Sequence, residues 1–498
     1  MTKPLHRRRI PIAVLSVAGL AAPHAMAQQG ESAGGGRTAG PGLKVQASVS
    51  AGLTFTDNYQ LSARAESDMI ATATGSINAF SNSGPIRGNL AYSLTSLMYA
   101  SHSSSNDLQQ ALSANAVAEL VADHAFVEAS ASISQQLASP FGTQSATQFG
   151  ANANRNEVRT LTVSPYLRGN LFGNVRYIAR ANFGITRGST TSAGDTRWTG
   201  GSLGLSGGQP STLQWSLDAS QATYRYHLGQ STENDRIGLA LSKALNYDLL
   251  LTLLAGQERY AVSGGEDITR PTWGARAQWN PSPRTAVNLQ YERRFYGASH
   301  NINLMYRTAR TVWTLTDSRD ATSTLGETQG GRPGSLFDLL FEQFKTAIPD
   351  PAQRAIAVNN FLLQNGLSGG VPAFGAFLAS NALLQRQQSL SLVVLGARTT
   401  LTLQAMRSTS QRLLRGGTPD IFDGGNVIRQ RALSAALAYR LTPASTATLA
   451  ALWQRNAGLL GSQHSDLSSL SATWTARLDP SSDFSLGARI AHSTSTGG

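Results

Sequence analysis

Hydrophobic and polar residues alternate in short segments from about Leu43 to Ser493. The segments are separated by turn residues, a pattern typical of the strands of a transmembrane β-barrel. The segment that begins at Val175 is a clear example, because apolar residues fill its odd positions as far as Ile185. Its even positions include Arg176, Arg180 and Asn182. Successive side chains of a strand point to opposite faces, so one face suits lipid and the other suits water.

A closed sheet is the membrane structure that this pattern predicts. Every backbone N–H and C=O group must be paired in lipid, so only helices and closed barrels span a bilayer. The chain has no apolar run of about 20 residues that would suit a spanning helix. The predicted fold is therefore all-β, a transmembrane up-and-down antiparallel β-barrel of about 20–22 strands. A soluble β-sandwich also alternates, but its apolar face must be buried against a second sheet.

The lengths of the connections predict which way the barrel faces. Short links that contain proline, such as Asn280–Arg284 and Thr442–Ala444, alternate with longer ones such as Leu137–Asn156. Outer-membrane barrels have short periplasmic turns and longer outer loops. If the first strand starts from the periplasm at Leu43, the short turns all fall on the periplasmic side. This consistency requires a turn at Arg307–Arg310.

One long segment, residues 319–385, interrupts the ladder. Phe337, Leu340 and Phe341 recur at helical spacing, and Pro349 stops that helix. An apolar helical face needs a partner to bury against. We therefore predict a helical insert that caps the mouth or plugs the lumen, with an exposed loop as the alternative. The barrel then has two parts, residues 43–318 and 386–498.

The number of strands raises a question about the last one. We count about 21 strands, whereas single-chain bacterial barrels normally have an even number. An unclosed barrel would leave a sheet edge in lipid, which is costly. Either the count is off by one or the sequence lacks a closing strand. We favour a missing strand, because Ser493–Gly498 stands where a last descending strand should begin.

The N-terminal residues 1–27 have the features of an export signal. Basic residues precede an apolar run from Ile10 to Ala22, and Ala25–Ala27 forms a small-x-small cleavage site. A membrane anchor is the alternative, but the apolar run falls short of the length that a span needs. Residues 28–42 are rich in glycine and predict a flexible periplasmic tail. The expected location is the bacterial outer membrane.

Composition narrows the possible partners. The formal net charge is +12, and loss of the four basic residues of the signal peptide would leave +8. This excess fits either general solubility or a lumen that attracts anions. Nucleic acid is an unlikely partner, because the sequence has no basic cluster with interleaved aromatic residues. The chain contains no cysteine, which excludes disulfides and thiolate chemistry.

The sequence offers little support for catalysis or for a cofactor. Of the eight histidines, His6 and His24 belong to the signal peptide and the others are scattered. A Ser-His-acid arrangement is defined by geometry, so it stays a weak alternative, as does an aspartyl pair. Neither Glu-x-x-His nor His-x-x-x-His spacing occurs, so we predict no metal site. We predict that the protein is not an enzyme and has no catalytic residues or cofactor.

The polar faces of the best strands supply candidate residues for the lumen. Arginines that line a pore favour anions. The competing interpretation is that these arginines pair with nearby acids such as Glu292, because a large barrel needs a polar interior whatever it transports. The candidate lumen-lining residues are Arg176, Arg180, Asn182, Arg276, Gln278, Asn288, Gln290, Glu292 and Arg294.

Several short stretches point to a family. They are Phe55–Leu61, Ala129–Gln136, Ser139–Gly142, Thr308–Trp313, Asp317–Asp320 and Ile348–Pro351. Together they resemble the outer-membrane β-barrel family associated with the PEP-CTERM/exosortase system. That family is known by its association with exopolysaccharide loci, so the resemblance implies a role in exporting exopolysaccharide or PEP-CTERM protein. Its members usually end in a strand that closes on an aromatic residue, and this chain departs there. The family carries no established catalytic residues to transfer.

Two functions remain open. The first is a gated conduit, because a barrel of about 20 strands is wide enough for an aqueous lumen. The second is a non-transporting scaffold that assembles envelope partners around a filled lumen. A TonB-dependent receptor is disfavoured, because it would carry a large plug before its first strand. The expected partners are outer-membrane lipid and an anionic polysaccharide or exported protein, with the oligomeric state left open.

Overall fold

The described residues form a single antiparallel sheet of 22 strands and one short 3₁₀ helix in a computed structural model. The structure describes residues 10–16 (backbone), 43–62, 64–81, 83–145, 154–189, 195–227, 231–263, 265, 267–322, 382–413, 427–458, 463–479 and 482–496. The 3₁₀ helix is Ser103–Ser105. The strands are β1 (Ile10–Ser16), β2 (Lys44–Thr56), β3 (Asp68–Ser81), β4 (Ile86–Tyr99), β5 (Asp107–Val121), β6 (Ala125–Leu137), β7 (Arg155–Leu171), β8 (Val175–Gly188), β9 (Thr196–Gln209), β10 (Leu213–Tyr226), β11 (Ser231–Ala244), β12 (Leu249–Val262), β13 (Ile268–Ser282), β14 (Thr285–Arg294), β15 (Gly297–Arg307), β16 (Thr311–Thr322), β17 (Leu383–Leu395), β18 (Thr399–Arg412), β19 (Val427–Thr442), β20 (Ser445–Gly458), β21 (His464–Asp479) and β22 (Ser482–Ser495).

Each strand from β2 to β22 pairs antiparallel with the strand that follows it in the chain, up to β22. The predicted up-and-down barrel is therefore confirmed. The predicted turn at Arg307–Arg310 is also present, between the end of β15 and the start of β16. The connection between β14 and β15 is shorter still and consists of Phe295 and Tyr296. Gly297, the first residue of β15, has a φ of 104°. Residues with a side chain rarely adopt such a backbone, so glycine suits this tight turn.

The sheet is closed by β1, which pairs antiparallel with both β22 and β2. Because 21 successive antiparallel strands begin and end in the same direction, β2 and β22 cannot pair antiparallel with each other. A strand of opposite direction is needed between them, and Ile10–Ser16 occupies that position. This segment lies inside the predicted signal peptide, which stays a prediction, and it is only seven residues long.

The two faces of the wall differ in polarity. On β19, Leu433, Leu437 and Tyr439 share the outer face and are well exposed, whereas Gln430 and Ala438 on the other face are buried. Large exposed apolar side chains recur on the outer face of most strands. A belt of this kind is costly in water and suits the hydrocarbon core of a membrane. Lipid therefore meets the outside of the barrel, and the inner face lines the lumen.

The two ends of the barrel differ in the length of their connections. One end has tight turns, such as those between Leu171 and Val175 and between Thr442 and Ser445. The other end has the long connections, including the one between β6 and β7. By the rule for outer-membrane barrels, the tight-turn end is periplasmic and the long-loop end is extracellular. We use these names for the two ends below.

The predicted insert lies mostly outside the described residues. Strand β16 continues to Thr322 and β17 begins at Leu383, and these two residues are directly paired. Arg319 and Asp320 thus belong to a strand although the sequence places them in the insert, because charged residues are tolerated where the wall emerges from the lipid. The predicted helical cap falls within residues 323–381, which the structure does not describe. Within the described part of the chain, no helix has the length and apolar character needed to cross a membrane.

The assignment of the two faces predicts opposite responses to a charge at adjacent positions of β19. Leu437→Arg places a charge in the outer belt and should lower the free energy of unfolding by about 2–4 kcal/mol near the bilayer midplane. Ala436→Arg is the matched control, because this residue lies on the inner face and its charge meets the lumen. Denaturant unfolding of the refolded barrel in lipid vesicles measures both changes. Equal losses for the two variants would contradict the assignment.

Candidate functional site

The inner face of the wall carries many polar side chains among smaller apolar clusters. On β17 and β18 this face includes four serines that are almost fully shielded from solvent, namely Ser389, Ser391, Ser408 and Ser410. A hydrogen bond of 2.5 Å joins Ser389 to Thr316 on the neighbouring strand. Short hydroxyl side chains therefore bond to one another across the strands and leave the lumen lined with polar groups.

Three of the predicted lumen residues lie on the inner face of β8. Arg180 forms an ion pair with Glu128, with an Nη1–Oε2 distance of 2.7 Å, and its guanidinium lies 4.5 Å from the centre of the Tyr166 ring. Asn182 accepts a hydrogen bond of 2.8 Å from Ser164. Arg176 lies on the same face, nearer the periplasmic end. Arg180 is thus held by an acid and an aromatic ring, a stronger anchorage than either partner alone.

The other predicted residues come together on β13 and β14. Arg276 is the register partner of Gln290, and its Nε donates a hydrogen bond of 3.2 Å to the Gln290 side chain. Gln278 and Asn288 are register partners as well. These four residues form a polar patch on one part of the inner wall, well separated from β8 in the order of the strands.

Glu292 and Arg294 belong to a larger network of ion pairs. Glu292 accepts a short hydrogen bond from Arg236 of β11. Arg294 binds Glu258 of β12, with an Nε–Oε2 distance of 3.1 Å, and Asp320 of β16, with an Nη1–Oδ1 distance of 2.9 Å. In this part of the wall the arginines Arg236 and Arg294 pair with acids, as the alternative to a selective pore predicts.

Glu258 is the most buried charged residue of the network. Its side chain is 0% exposed. Its register partners are Arg236 on one side and Arg270 on the other. Asn234 also donates a hydrogen bond of 3.1 Å to its carboxylate. A buried carboxylate needs such partners, since an unpaired charge in this position would be strongly destabilising.

The turn between β14 and β15 completes the network at its extracellular side. Tyr296 donates a short hydrogen bond to Asp320. Burial raises the pKa of Tyr296, and the neighbouring charge of Asp320 raises it further. The hydroxyl therefore keeps its proton and remains a donor. Phe295 stacks on Tyr260 with 4.5 Å between the ring centres, which fixes the turn against β12.

Sequence reasoning missed several members of this network. Arg236, Glu258 and Asp320 were not among the predicted lumen residues. The signal for Glu258 was hidden by the run of leucines at Leu249–Leu254, which places apolar residues on both faces of β12. Asp320 was missed because the sequence places it in the insert of residues 319–385, whereas β16 continues to Thr322. The signal that could have found them is the alternation of inner and outer positions, followed along each strand to its last residue.

A second feature of the lumen is a loop that reaches across its extracellular mouth. We call residues Ala138–Ser145, which follow β6, the bridging loop. Phe141 of this loop packs against Leu383 of β17 and Ile428 of β19. Asn456 of β20, which is 0% exposed, donates a hydrogen bond of 2.8 Å to the carbonyl of Pro140. The loop is thus joined to β17–β20, a part of the wall that β21, β22 and β1–β5 separate from β6.

The bridging loop shows that the mouth is narrow. Phe141 lies only four residues beyond Leu137, the end of β6, and four extended residues reach at most about 14 Å. Leu137 itself packs against the same apolar cluster. A round section of 22 strands spaced about 4.8 Å apart would be more than roughly 30 Å across. The barrel is therefore flattened at this end, and the bridging loop spans its short dimension.

Histidine and acidic residues meet in pairs outside the lumen network. His102 Nδ1 lies 2.8 Å from Asp68 Oδ2 near the extracellular end, and His300 Nε2 lies 3.1 Å from Asp317 Oδ1. Among the described residues, no group of three or more such side chains is placed to hold a metal ion. These pairs hold loops and strands at the barrel rim.

Solved structures of known proteins share the general architecture. The chain is similar to the FrpB iron transporter (F5-1 variant) from Neisseria meningitidis, at 9% identity, with 98% of this chain and 83% of that chain covered and a TM-score of 0.46. For the siderophore receptor PirA from Pseudomonas aeruginosa the identity is 10%, the coverage 92% and 81%, and the TM-score 0.40. For OccK2 (OpdF) from Pseudomonas aeruginosa the identity is 11%, with 91% of this chain and 98% of that chain covered, and the TM-score is 0.32. No protein-family model and no curated protein matches the chain. At these identities and TM-scores, what these proteins bind or transport is not carried over.

The geometry of the wall decides where the protein resides. The strands close into one antiparallel sheet, the outer face is apolar, and the inner face is polar. The chain is an outer-membrane β-barrel. Its lumen carries two features on which function can depend, the ion-pair network on β11–β16 and the bridging loop at the mouth.

The ion-pair network predicts a strong coupling between Glu258 and Arg294. Each single substitution, Glu258→Gln or Arg294→Gln, leaves a buried charge with fewer partners and should destabilise the barrel by about 3 kcal/mol. In the double variant, the loss of unfolding free energy should be smaller than the sum of the two single losses by about 1–3 kcal/mol. Denaturant unfolding in vesicles measures the cycle. Arg259→Gln, at the adjacent outer position of β12, is the control and should have a smaller effect; additive losses for Glu258 and Arg294 would contradict the coupling.

Proposed function

We propose that this chain is a gated outer-membrane conduit that acts in the export of exopolysaccharide or PEP-CTERM protein. The bridging loop carries the proposal, because it obstructs a polar lumen through a contact small enough to be released. The contact consists of one apolar cluster and a few hydrogen bonds, from Asn456 to Pro140 and from Ser465 to Gly142 at 3.4 Å. Release of these bonds would move the loop without breaking the sheet.

The polar inner wall supports passage of a hydrated polymer. Hydroxyl and amide side chains line it, and in an open lumen such groups would exchange their present hydrogen bonds for bonds to water and to sugar hydroxyls. Arg176 and Arg276 add positive charge without an ion pair to an acid among the described residues. An anionic polysaccharide would be attracted by these two arginines, whereas Arg236 and Arg294 are already neutralised by acids. The resemblance to the exosortase-associated family supplies the class of cargo.

A non-transporting scaffold is the alternative, and the ion-pair network favours it. Charges that neutralise each other across strands stiffen a wall without serving a passing solute. In a scaffold the bridging loop would be a permanent seal. The two functions therefore make different predictions for the same contact.

The conduit predicts that weakening the bridging loop opens the lumen. Phe141→Ala removes an apolar contact of about 2 kcal/mol, which should raise the ratio of open to closed states by more than about tenfold. Single-channel recording in planar bilayers measures the open fraction. Phe172→Ala is the matched control, because Phe172 is 97% exposed in a periplasmic turn. A folded Phe141→Ala variant that remains silent would refute the gate and leave the scaffold.

The unpaired inner arginines predict anion selectivity. Arg276→Glu reverses a lumen charge, so the reversal potential in a salt gradient should shift toward cations. Arg293→Glu is the matched control, because Arg293 is an exposed residue on the outer face of the neighbouring strand. An equal shift for both variants, or no shift for Arg276→Glu in a conducting barrel, would contradict a selective role for Arg276.

A further inference from the structure

Arginines meet in a row on the outer face of β18, β19 and β20. Arg407 is the register partner of Arg431, and Arg431 is in turn the register partner of Arg455. Arg429 lies on the same face of β19, two residues closer to the extracellular end. All four side chains are exposed. We call these four residues the outer arginine cluster.

The outer arginine cluster has too few acids to balance it. Arg455 lies 3.6 Å from Asp466. Arg407, Arg429 and Arg431 form no ion pair among the described residues. Like charges directly opposite each other on paired strands are destabilising. A barrel that places three arginines side by side therefore gains stability only if an anion from outside joins them.

The height of the cluster indicates where that anion comes from. Leu433 follows Arg431 on the same face of β19, and Trp453 precedes Arg455 on β20 by two residues. Two residues of a strand span about 7 Å. The arginines therefore stand immediately above the apolar belt, at its extracellular edge. Trp453 at this level fits the aromatic residues that mark the boundary between hydrocarbon and headgroups.

We propose that the outer arginine cluster binds the phosphate groups of a phosphorylated glycolipid in the outer leaflet. Guanidinium groups bind phosphate oxygens through paired, charge-assisted hydrogen bonds, and adjacent arginines can share one phosphate. The acyl chains of the lipid would lie against Leu433 and Trp453 below the cluster. The cluster lies outside the barrel, so this site is independent of any cargo in the lumen and of the proposed function.

A similar arrangement occurs elsewhere on the wall. Arg159 is the register partner of Arg187, and Arg197 is the register partner of Arg225, all on the outer face near the extracellular end. Arg187, Arg197 and Arg225 form no ion pair among the described residues. The β18–β20 cluster is the sharper site, because three of its arginines are consecutive register partners.

The test compares lipid binding by the full chain and by the triple variant Arg407→Gln, Arg431→Gln and Arg455→Gln. The probe is bisphosphorylated lipid A, added to detergent-solubilised protein and measured by native mass spectrometry. The triple variant should bind at least about tenfold more weakly, since each basic residue near a lipid surface contributes about 1 kcal/mol. Wild-type protein should show the same loss with lipid A that lacks its phosphates.

The matched control removes three arginines from the periplasmic turns, as Arg284→Gln, Arg310→Gln and Arg398→Gln. It changes the net charge equally and should bind lipid A like the wild type. The proposed site would be overturned if the β18–β20 triple variant bound lipid A as tightly as the wild type. It would also be overturned if the control variant lost as much binding as the β18–β20 triple variant. Displacement of lipid A by inorganic phosphate at matched concentration would show an ion site and overturn the lipid assignment.

Two measurements separate loss of the site from loss of the fold. The variant with Arg407→Lys, Arg431→Lys and Arg455→Lys keeps the charge and should recover most of the lipid binding. In neutral detergent without lipid A, the glutamine triple variant should unfold at the same temperature as the wild type or a higher one, because the repulsion between arginines is gone. A lower unfolding temperature together with full loss of binding in the lysine variant would overturn the proposal.

Discussion

The pairing of every backbone N–H and C=O group is the constraint on which the whole structure depends. Within lipid no water can satisfy an open sheet edge, so the first and last strands must be joined. The ladder from β2 to β22 is odd, and one strand of opposite direction is needed to close it. Strand β1 fills that position over seven residues and pairs with β2 only at Leu53–Thr56. The closure is thus the least extensively paired part of the described sheet.

The same constraint explains why the strands from β2 to β22 could be predicted from the sequence, whereas β1, whose residues were assigned to the signal peptide, could not. Lipid outside and water inside impose a period of two on each strand, so even short strands such as β14 and β15 can be recognised. The turn at Arg307–Arg310 follows from the sequence because the strands have to alternate in direction. Strand ends were less predictable, because beyond the lipid the apolar-outward rule no longer applies, as at Arg319 and Asp320.

The candidate site was less predictable, because it depends on register and on contacts between distant segments. Parity placed Arg180 and Arg294 on a polar face, but only the pairing of strands shows that Glu128 and Glu258 lie beside them. The bridging loop has no periodic signal at all. The stretch Ser139–Gly142 entered the family resemblance, yet nothing in its residues indicates that Phe141 packs against β17 and β19.

Arginine serves two different purposes on the two faces of this wall. On the inner face of β11–β16, acids from neighbouring strands neutralise Arg236 and Arg294, so these two residues leave little charge for a passing solute. On the outer face of β18–β20, Arg407 and Arg431 stand side by side without an acid of their own. A paired arginine holds strands together, whereas an unpaired row costs stability until an anion from its surroundings joins it. The inner network therefore serves the rigidity of the wall, and the outer cluster serves its anchorage in the membrane.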